Sequence, residues 1–242
     1  MGRVDVWRLR LDEARLDKVF SPSSEARGSV LAPDEAARAS RFHFDRDRIR
    51  FTRCRNALRW LLGRYLDIAP ASIRFTYTPS GKPEVAADQN PLNLRFNVSH
   101  SENLALLAVG LRDGLGVDIE KVRPDVNTRE LSERFFSVRE RAALGALPET
   151  LRVAAFYACW ARKEAFLKAT GEGLGFPLED FSVSAHPEKQ PCIEEIRDDT
   201  NTASQWSLID VHAAGGFRSA VAIEHPSASI ATFALSGLTS GD

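Results

Sequence analysis

The sequence is poor in the features that most often announce a function. Only three cysteines occur, Cys54, Cys159 and Cys192, far apart and without a CxxC pair. No disulfide framework and no cysteine-based zinc site is therefore implied, and a reducing compartment is the simpler reading. Neither GxGxxG nor GxxxxGK[ST] is present, which removes the two best-defined glycine-loop phosphate cradles. Gly171, Gly173 and Gly175 follow a helical stretch instead of preceding one, so they read as a helix stop and loop. Apolar runs such as Ala105–Gly110 fall well short of the roughly 20 residues a membrane helix needs. The opening residues are charged throughout and lack the apolar centre of a secretory signal. Charge of one sign is missing too: 32 Lys and Arg face 33 Asp and Glu, for a net charge of -1. That balance gives no global pull toward nucleic acid or anionic lipid. The expectation is a cytoplasmic protein with no nucleic-acid and no membrane partner.

What is present is an ordinary globular composition, 43% apolar and 27% charged, over 242 residues. That length allows one large domain or two tightly joined smaller ones. Val4, Trp7, Leu9 and Leu11 suggest an opening strand, and polar Ser21–Ser29 a loop. Pro33, Asp34 and Glu35 open a helix reaching about Phe44, and a longer helix spans Asp47 to Tyr65. Ile73–Tyr77, Asn93–Ser99 and Val117–Glu120 read as strands, with a turn at Ser80–Pro83; apolar Leu104–Leu111 fits a strand or a buried helix by pattern, and strand is favoured. Helices follow at Thr128–Phe136, at Ser137–Leu147 with a capping box between Ser137 and Glu140, and at Glu149–Thr170. Phe181–Val183, Trp206–Val211 and Phe217–Ile223 read as closing strands. The order is α+β, with two halves of similar layout meeting near residue 112. The expected division is 1–112 and 113–242.

Several side chains could carry chemistry. Asp118 and Glu120 stand two apart on a short strand, so both carboxylates project from one face while Val117 and Ile119 turn into a core. Oxygen ligands of this kind suit magnesium, yet exposed strands place carboxylates this way routinely. Trp160, Glu164 and Lys168 share one helix face at i, i+4 and i+8. Glu164 and Lys168 form either a surface pair worth a few tenths of a kcal/mol, or a third carboxylate and an amine facing phosphate. Ser99 and His100 point apart on a strand and make a poor nucleophile–base pair, but they suit donation to phosphate. Lys82 is an exposed turn lysine or a phosphate contact. Arg38, Arg41 and Arg50 are a solvated face or a phosphate grip.

Taken together, these segments resemble the larger, single-chain class of 4'-phosphopantetheinyl transferases. The most specific blocks are Gly116-Val117-Asp118-Ile119-Glu120 and Trp160-Ala161-Arg162-Lys163-Glu164-Ala165-Phe166-Leu167-Lys168, with Phe135-Phe136-Ser137 and Glu140 between them. Arg41-Phe42, Arg50, Gly81-Lys82-Pro83 and Asn97-Val98-Ser99-His100-Ser101 lie upstream in family order. The resemblance implies two similar α/β halves about a pseudo-twofold axis with the active site in the cleft between them. It also implies transfer of phosphopantetheine from coenzyme A to a serine of an acyl, peptidyl or aryl carrier protein, with release of 3',5'-adenosine bisphosphate, by a monomer.

The roles it implies are as follows. Asp118, Glu120 and Glu164 hold magnesium. Arg38, Arg50, Lys82, Ser99, His100 and Lys163 hold the phosphates of coenzyme A. Lys168 stands at the reacting phosphate, and Glu140 takes the serine proton directly or through water. Glu35 departs from the family pattern, occupying a position where relatives carry a basic residue near the 3'-phosphate. Two other classes share part of the pattern, a magnesium-dependent nucleotide pyrophosphohydrolase and a non-catalytic coenzyme A or carrier-binding protein. Neither accounts for the full set of blocks.

Overall fold

The computed structural model describes residues 2–14, 16, 30–112, 114–186, 189–197 and 199–235. The expected loop at 21–29 lies outside them. Four layers build the protein, and strand alternation dictates them. In strand β1 (Arg3–Arg10) and strand β5 (Leu104–Gly110), successive side chains enter two different cores. Leu9, Ala105, Leu107 and Val109 pack under helix α2 (Asp45–Leu66), against Cys54, Ala57, Leu58, Leu61 and Leu62. Val4, Val6, Leu104, Leu106 and Ala108 face the other way, toward Leu115, Val117 and Ile119 of β6 (Leu115–Lys121) and Val221 and Ile223 of β10 (Phe217–Ile223). On the far face of β10, Ala220 and Ala222 join the core under helix α5 (Glu149–Thr170). The order is helix, sheet, sheet, helix, and each half carries a 22-residue helix on the outside of a largely antiparallel sheet. The two similar α/β halves expected from the sequence are therefore present.

The first sheet runs β11-β1-β5-β4 and the second β6-β10-β9, with β4 at Arg95–Ser101, β9 at Ser207–Asp210 and β11 at Ser229–Ala234. Strand β11 pairs parallel to β1, so the C-terminal segment closes the N-terminal sheet. The expected helix from Pro33 to Phe44 stops at Ala39 as helix α1 (Pro33–Ala39), and α2 begins at Asp45. The remaining elements are the hairpin β2 (Phe75–Tyr77) with β3 (Pro83–Val85), helices α3 (Thr128–Phe135) and α4 (Val138–Gly145), the pair β7 (Phe181–Val183) and β8 (Ile193–Ile196), and the single turn α6 (Thr200–Ala203). Helix α5 ends as the sequence indicates, with Gly171 at φ 73°. Among the described residues no helix is long and apolar enough to cross a membrane.

Glu35 does not face a cofactor groove. Its carboxylate is buried, accepts from the Ala32 amide, and pairs with Arg59 at 2.6 Å and Arg55 at 3.0 Å. Arg59 in turn donates to the Pro70 and Ile73 carbonyls, which pins the segment after α2. The departure from the family pattern at this position is thus an interior ion pair. Removing one partner of such a pair strands a buried charge, at a cost of about 3–5 kcal/mol. Glu35→Ala should lower the urea unfolding midpoint accordingly; an unchanged midpoint would show the pair to be dispensable.

One glycine sets the distance between sheet and helix in the second half. A Cβ on Gly116 would lie 2.0 Å from the Ala165 carbonyl oxygen and 2.4 Å from the Ala169 amide nitrogen. Both obstacles are backbone, so helix α5 seats directly on β6 only because residue 116 has no side chain. Gly116→Ala must push the helix away, with an overpacking cost of about 1–3 kcal/mol. Chemical denaturation checks this, and a variant as stable as the native chain would contradict that seating.

Candidate functional site

The close seating of α5 brings the residues on its inner face to the carboxylates of β6. Asp118 and Glu120 share the face of β6 that carries Gly116, opposite Val117 and Ile119, as the alternation requires. Asp118 is buried, and its Oδ1 accepts from Lys168 Nζ at 2.6 Å and from Ser99 Oγ at 2.8 Å. Lys168 also donates to Ser99 Oγ at 3.0 Å, closing a triangle among β4, β6 and α5. The second oxygen, Asp118 Oδ2, is buried without a hydrogen-bond partner. Burial and the charge of Asp118 push the Glu120 pKa up to about 7. The same two causes raise Glu164, with Lys168 opposing them. Glu120 and Glu164 are thus held back from ionising by burial and by the neighbouring charge of Asp118.

Among the described residues, no group of three or more His, Cys, Asp or Glu side chains is gathered tightly enough to hold a metal ion as it stands. The chemistry of the donor set nevertheless fits a hard divalent cation. All three donors are carboxylates, one buried oxygen lacks a partner, and a second positive charge would relieve the repulsion.

Strand β4 meets β6 without sharing a ladder with it. Its alternate side chains make the connection instead. Asn97 Oδ1 accepts from the Val117 amide at 2.9 Å, Ser99 Oγ donates to Asp118, and Ser101 Oγ accepts from the Lys121 amide at 3.1 Å and donates to Glu120 Oε2 at 3.2 Å. The sequence reading singled out Ser99 and His100 but gave Asn97 and Ser101 no part of their own. Period-two spacing with Ser99 was the signal available.

Two hollows open along β4. One, of about 250 Å³, is lined by Lys82, Asn97, Glu164, Leu167, Lys168 and Gly171 among others. Lys82 Nζ donates there to the Leu115 and Lys168 carbonyls at 3.0 and 2.7 Å, and burial lowers its pKa. The other, of about 270 Å³, is lined by Phe42, Arg50, Phe51, His100, Glu102 and Arg123 among others. Arg50 is gripped by Asp12 at 3.0 and 3.2 Å and by Glu102 at 3.3 Å, and the Arg38 guanidinium lies 5.4 Å from the centre of the Phe51 ring. His100 is exposed. Partial burial, then the charges of Lys168, Arg50 and Arg38, lower its pKa.

Two expected site residues are placed elsewhere. Lys163 and Glu140 are 0% and 1% exposed and paired at 2.7 and 2.8 Å. Lys163 also donates to the Phe181 carbonyl at 2.7 Å. Glu140 accepts from the Val183 amide through Oε1 and from the Ser137 amide through Oε2, each at 2.9 Å, the latter being half of the capping box read from the sequence. The pair fastens α4, α5 and β7 together. Lys163 has no path to a phosphate in this arrangement, and Glu140 has no free oxygen for a hydroxyl proton. Both residues lie in the sequence blocks quoted above, but their side chains point into the protein interior.

Residues 114–223 match the family model described as the 4'-phosphopantetheinyl transferase superfamily, and residues 21–111 match that described as 4'-phosphopantetheinyl transferase, N-terminal. The chain is 37% identical over 210 residues to the 4'-phosphopantetheinyl transferase HetI of Nostoc sp., covering 86% of this chain and 82% of that protein. It is 30% identical over 198 residues to the 4'-phosphopantetheinyl transferase Sfp of Bacillus subtilis, covering 82% and 84%. The crystal structure of Thermotoga maritima holo-[acyl-carrier-protein] synthase is 21% identical with a TM-score of 0.38, covering 48% of this chain and 64% of that one. On the family matches and the extent of these identities, the chain belongs to the 4'-phosphopantetheinyl transferase superfamily.

Proposed function

We propose that this protein transfers the 4'-phosphopantetheine arm of coenzyme A to a serine hydroxyl of an acyl, peptidyl or aryl carrier protein, releasing 3',5'-adenosine bisphosphate. The observation that carries the reading, beside family membership, is the meeting of Ser99, Asp118 and Lys168 on the strand that joins the two hollows. Coenzyme A would lie along β4. Its nucleotide end would enter the hollow bearing Arg50 and His100, with Arg38 beside it, and its pyrophosphate would cross Ser99. The pantetheine would point to the hollow bearing Lys82. The N-terminal half, 1–112, supplies the cofactor groups, and the C-terminal half, 113–242, supplies the carboxylates.

Asp118, Glu120 and Glu164 would hold magnesium, which supplies charge neutralisation at the phosphate oxygens when bound. Lys168 offers its ammonium to the same phosphoryl group, and its tie to Asp118 keeps it aimed there. Phosphates entering the second hollow would share Arg50 with Asp12 and Glu102. Because Glu140 is enclosed, the proton of the attacking serine goes to a solvent molecule, and Glu140 and Lys163 serve the fold. One chain builds both walls of the cleft, which supports a monomer. The free cysteines fit a reducing, cytoplasmic setting.

Glu164→Ala should abolish release of 3',5'-adenosine bisphosphate from coenzyme A in the presence of a carrier protein, while its thermal melt stays cooperative. Near-native release at saturating magnesium would sink the assignment. Glu140→Gln separates a base from a brace. The account predicts a loss of about 3–5 kcal/mol of stability from the half-broken buried pair, with near-native kcat per folded molecule. A stable variant that has lost kcat would restore Glu140 to the chemistry.

A further inference from the structure

Resting on the magnesium reading above, we infer that Ser101 is a positioning residue for Glu120, through which a strand of the N-terminal half orients a cation ligand carried by the C-terminal half. Lys168 bonds directly to Asp118 but acts on Glu120 only through its charge, and the Glu120 side chain has three rotatable bonds to settle. Ser101 removes that freedom. Its hydroxyl accepts from the Lys121 amide at 3.1 Å, which commits a lone pair to the backbone, and donates to Glu120 Oε2 at 3.2 Å. With one lone pair of Oε2 engaged, Oε1 is the less committed oxygen for a cation.

The anchor is itself held. Ser101 ends β4 and leads into Glu102, a residue at φ 50° whose carboxylate pairs with Arg50 at 3.3 Å and Arg123 at 2.8 Å. The turn is therefore pinned from α2 on one side and from the segment after β6 on the other. The contact also repeats a pattern, since Asn97 and Ser99 reach β6 from the same face of β4. Outer groups that hydrogen-bond to a ligating carboxylate typically account for 10–100-fold in metal affinity when removed.

The test is a calorimetric titration of the full chain with Mn²⁺ as the probe, at saturating coenzyme A and without a carrier protein. Ser101→Ala should weaken Mn²⁺ binding 10–100-fold, and the magnesium concentration giving half-maximal velocity should rise in parallel while kcat at saturating magnesium falls far less. Ser101→Thr, which keeps the hydroxyl, should restore both values. Should the alanine variant not fold, Ser101→Cys carries the same test, because it keeps the shape and replaces the hydroxyl with a poor donor. Native Mn²⁺ affinity in Ser101→Ala or Ser101→Cys overturns the inference alone. Absence of Mn²⁺ binding by the native chain overturns it together with the magnesium reading.

Discussion

The candidate site depends on one buried carboxylate. Asp118 stands where a strand from each half and the C-terminal helix converge, and it binds all three through Ser99, its own backbone and Lys168. A buried anion is costly unless it is paired, and here the pairing is half complete, with one oxygen doubly bonded and the other bare. The same charge raises the pKa of Glu120 and Glu164. The site is thus built with an unmet demand for positive charge. Seating α5 on Gly116 is the steric condition for that concentration, because it sets Lys168 and Glu164 against the strand.

A second theme is how much charge in the characteristic blocks serves the fold. Arg162 is fully buried and grips Asp210 of β9 with two contacts, at 2.9 and 2.6 Å. Lys163 grips Glu140, and Arg59 grips Glu35. Each pair joins elements distant in sequence, and each would be expensive to break singly. In helix α5, adjacent charged residues therefore divide by direction. Arg162 and Lys163 turn into the protein, and Glu164 and Lys168 turn to the cleft.

That division shows what the sequence could and could not disclose. The period-two face of β6, the capping box at Ser137 and the Gly171 stop were legible because each is a local pattern with one physical solution, whereas the fully buried β5 suits a strand or a buried helix by pattern alone. Strand β11 was not legible, since Ser229–Ala234 is half exposed and pairs with β1 across nearly the whole chain. The break after Ala39 was missed because nothing in the residues between it and Asp45 forbids helix. Spacing and family pattern point to Asp118, Glu120, Glu164, Ser99 and Lys168, and the structure sets Ser99, Asp118 and Lys168 in mutual hydrogen-bonding contact. Glu140 and Lys163 were assigned outward roles because a motif gives residue order but not the direction of a side chain within a buried helix face. Glu35, which opens a helix and departs from the family pattern, is an interior partner of Arg55 and Arg59, and no local pattern announces that pairing.

The central claim is that this cleft moves phosphopantetheine onto a carrier protein with magnesium's help. Intact mass of purified carrier proteins after incubation with coenzyme A and the native chain tests it most directly, with magnesium present and with it chelated. The account predicts one phosphopantetheine added to a carrier serine only when magnesium is present. Unchanged carrier mass across acyl, peptidyl and aryl carriers, or equal modification after chelation, would contradict it.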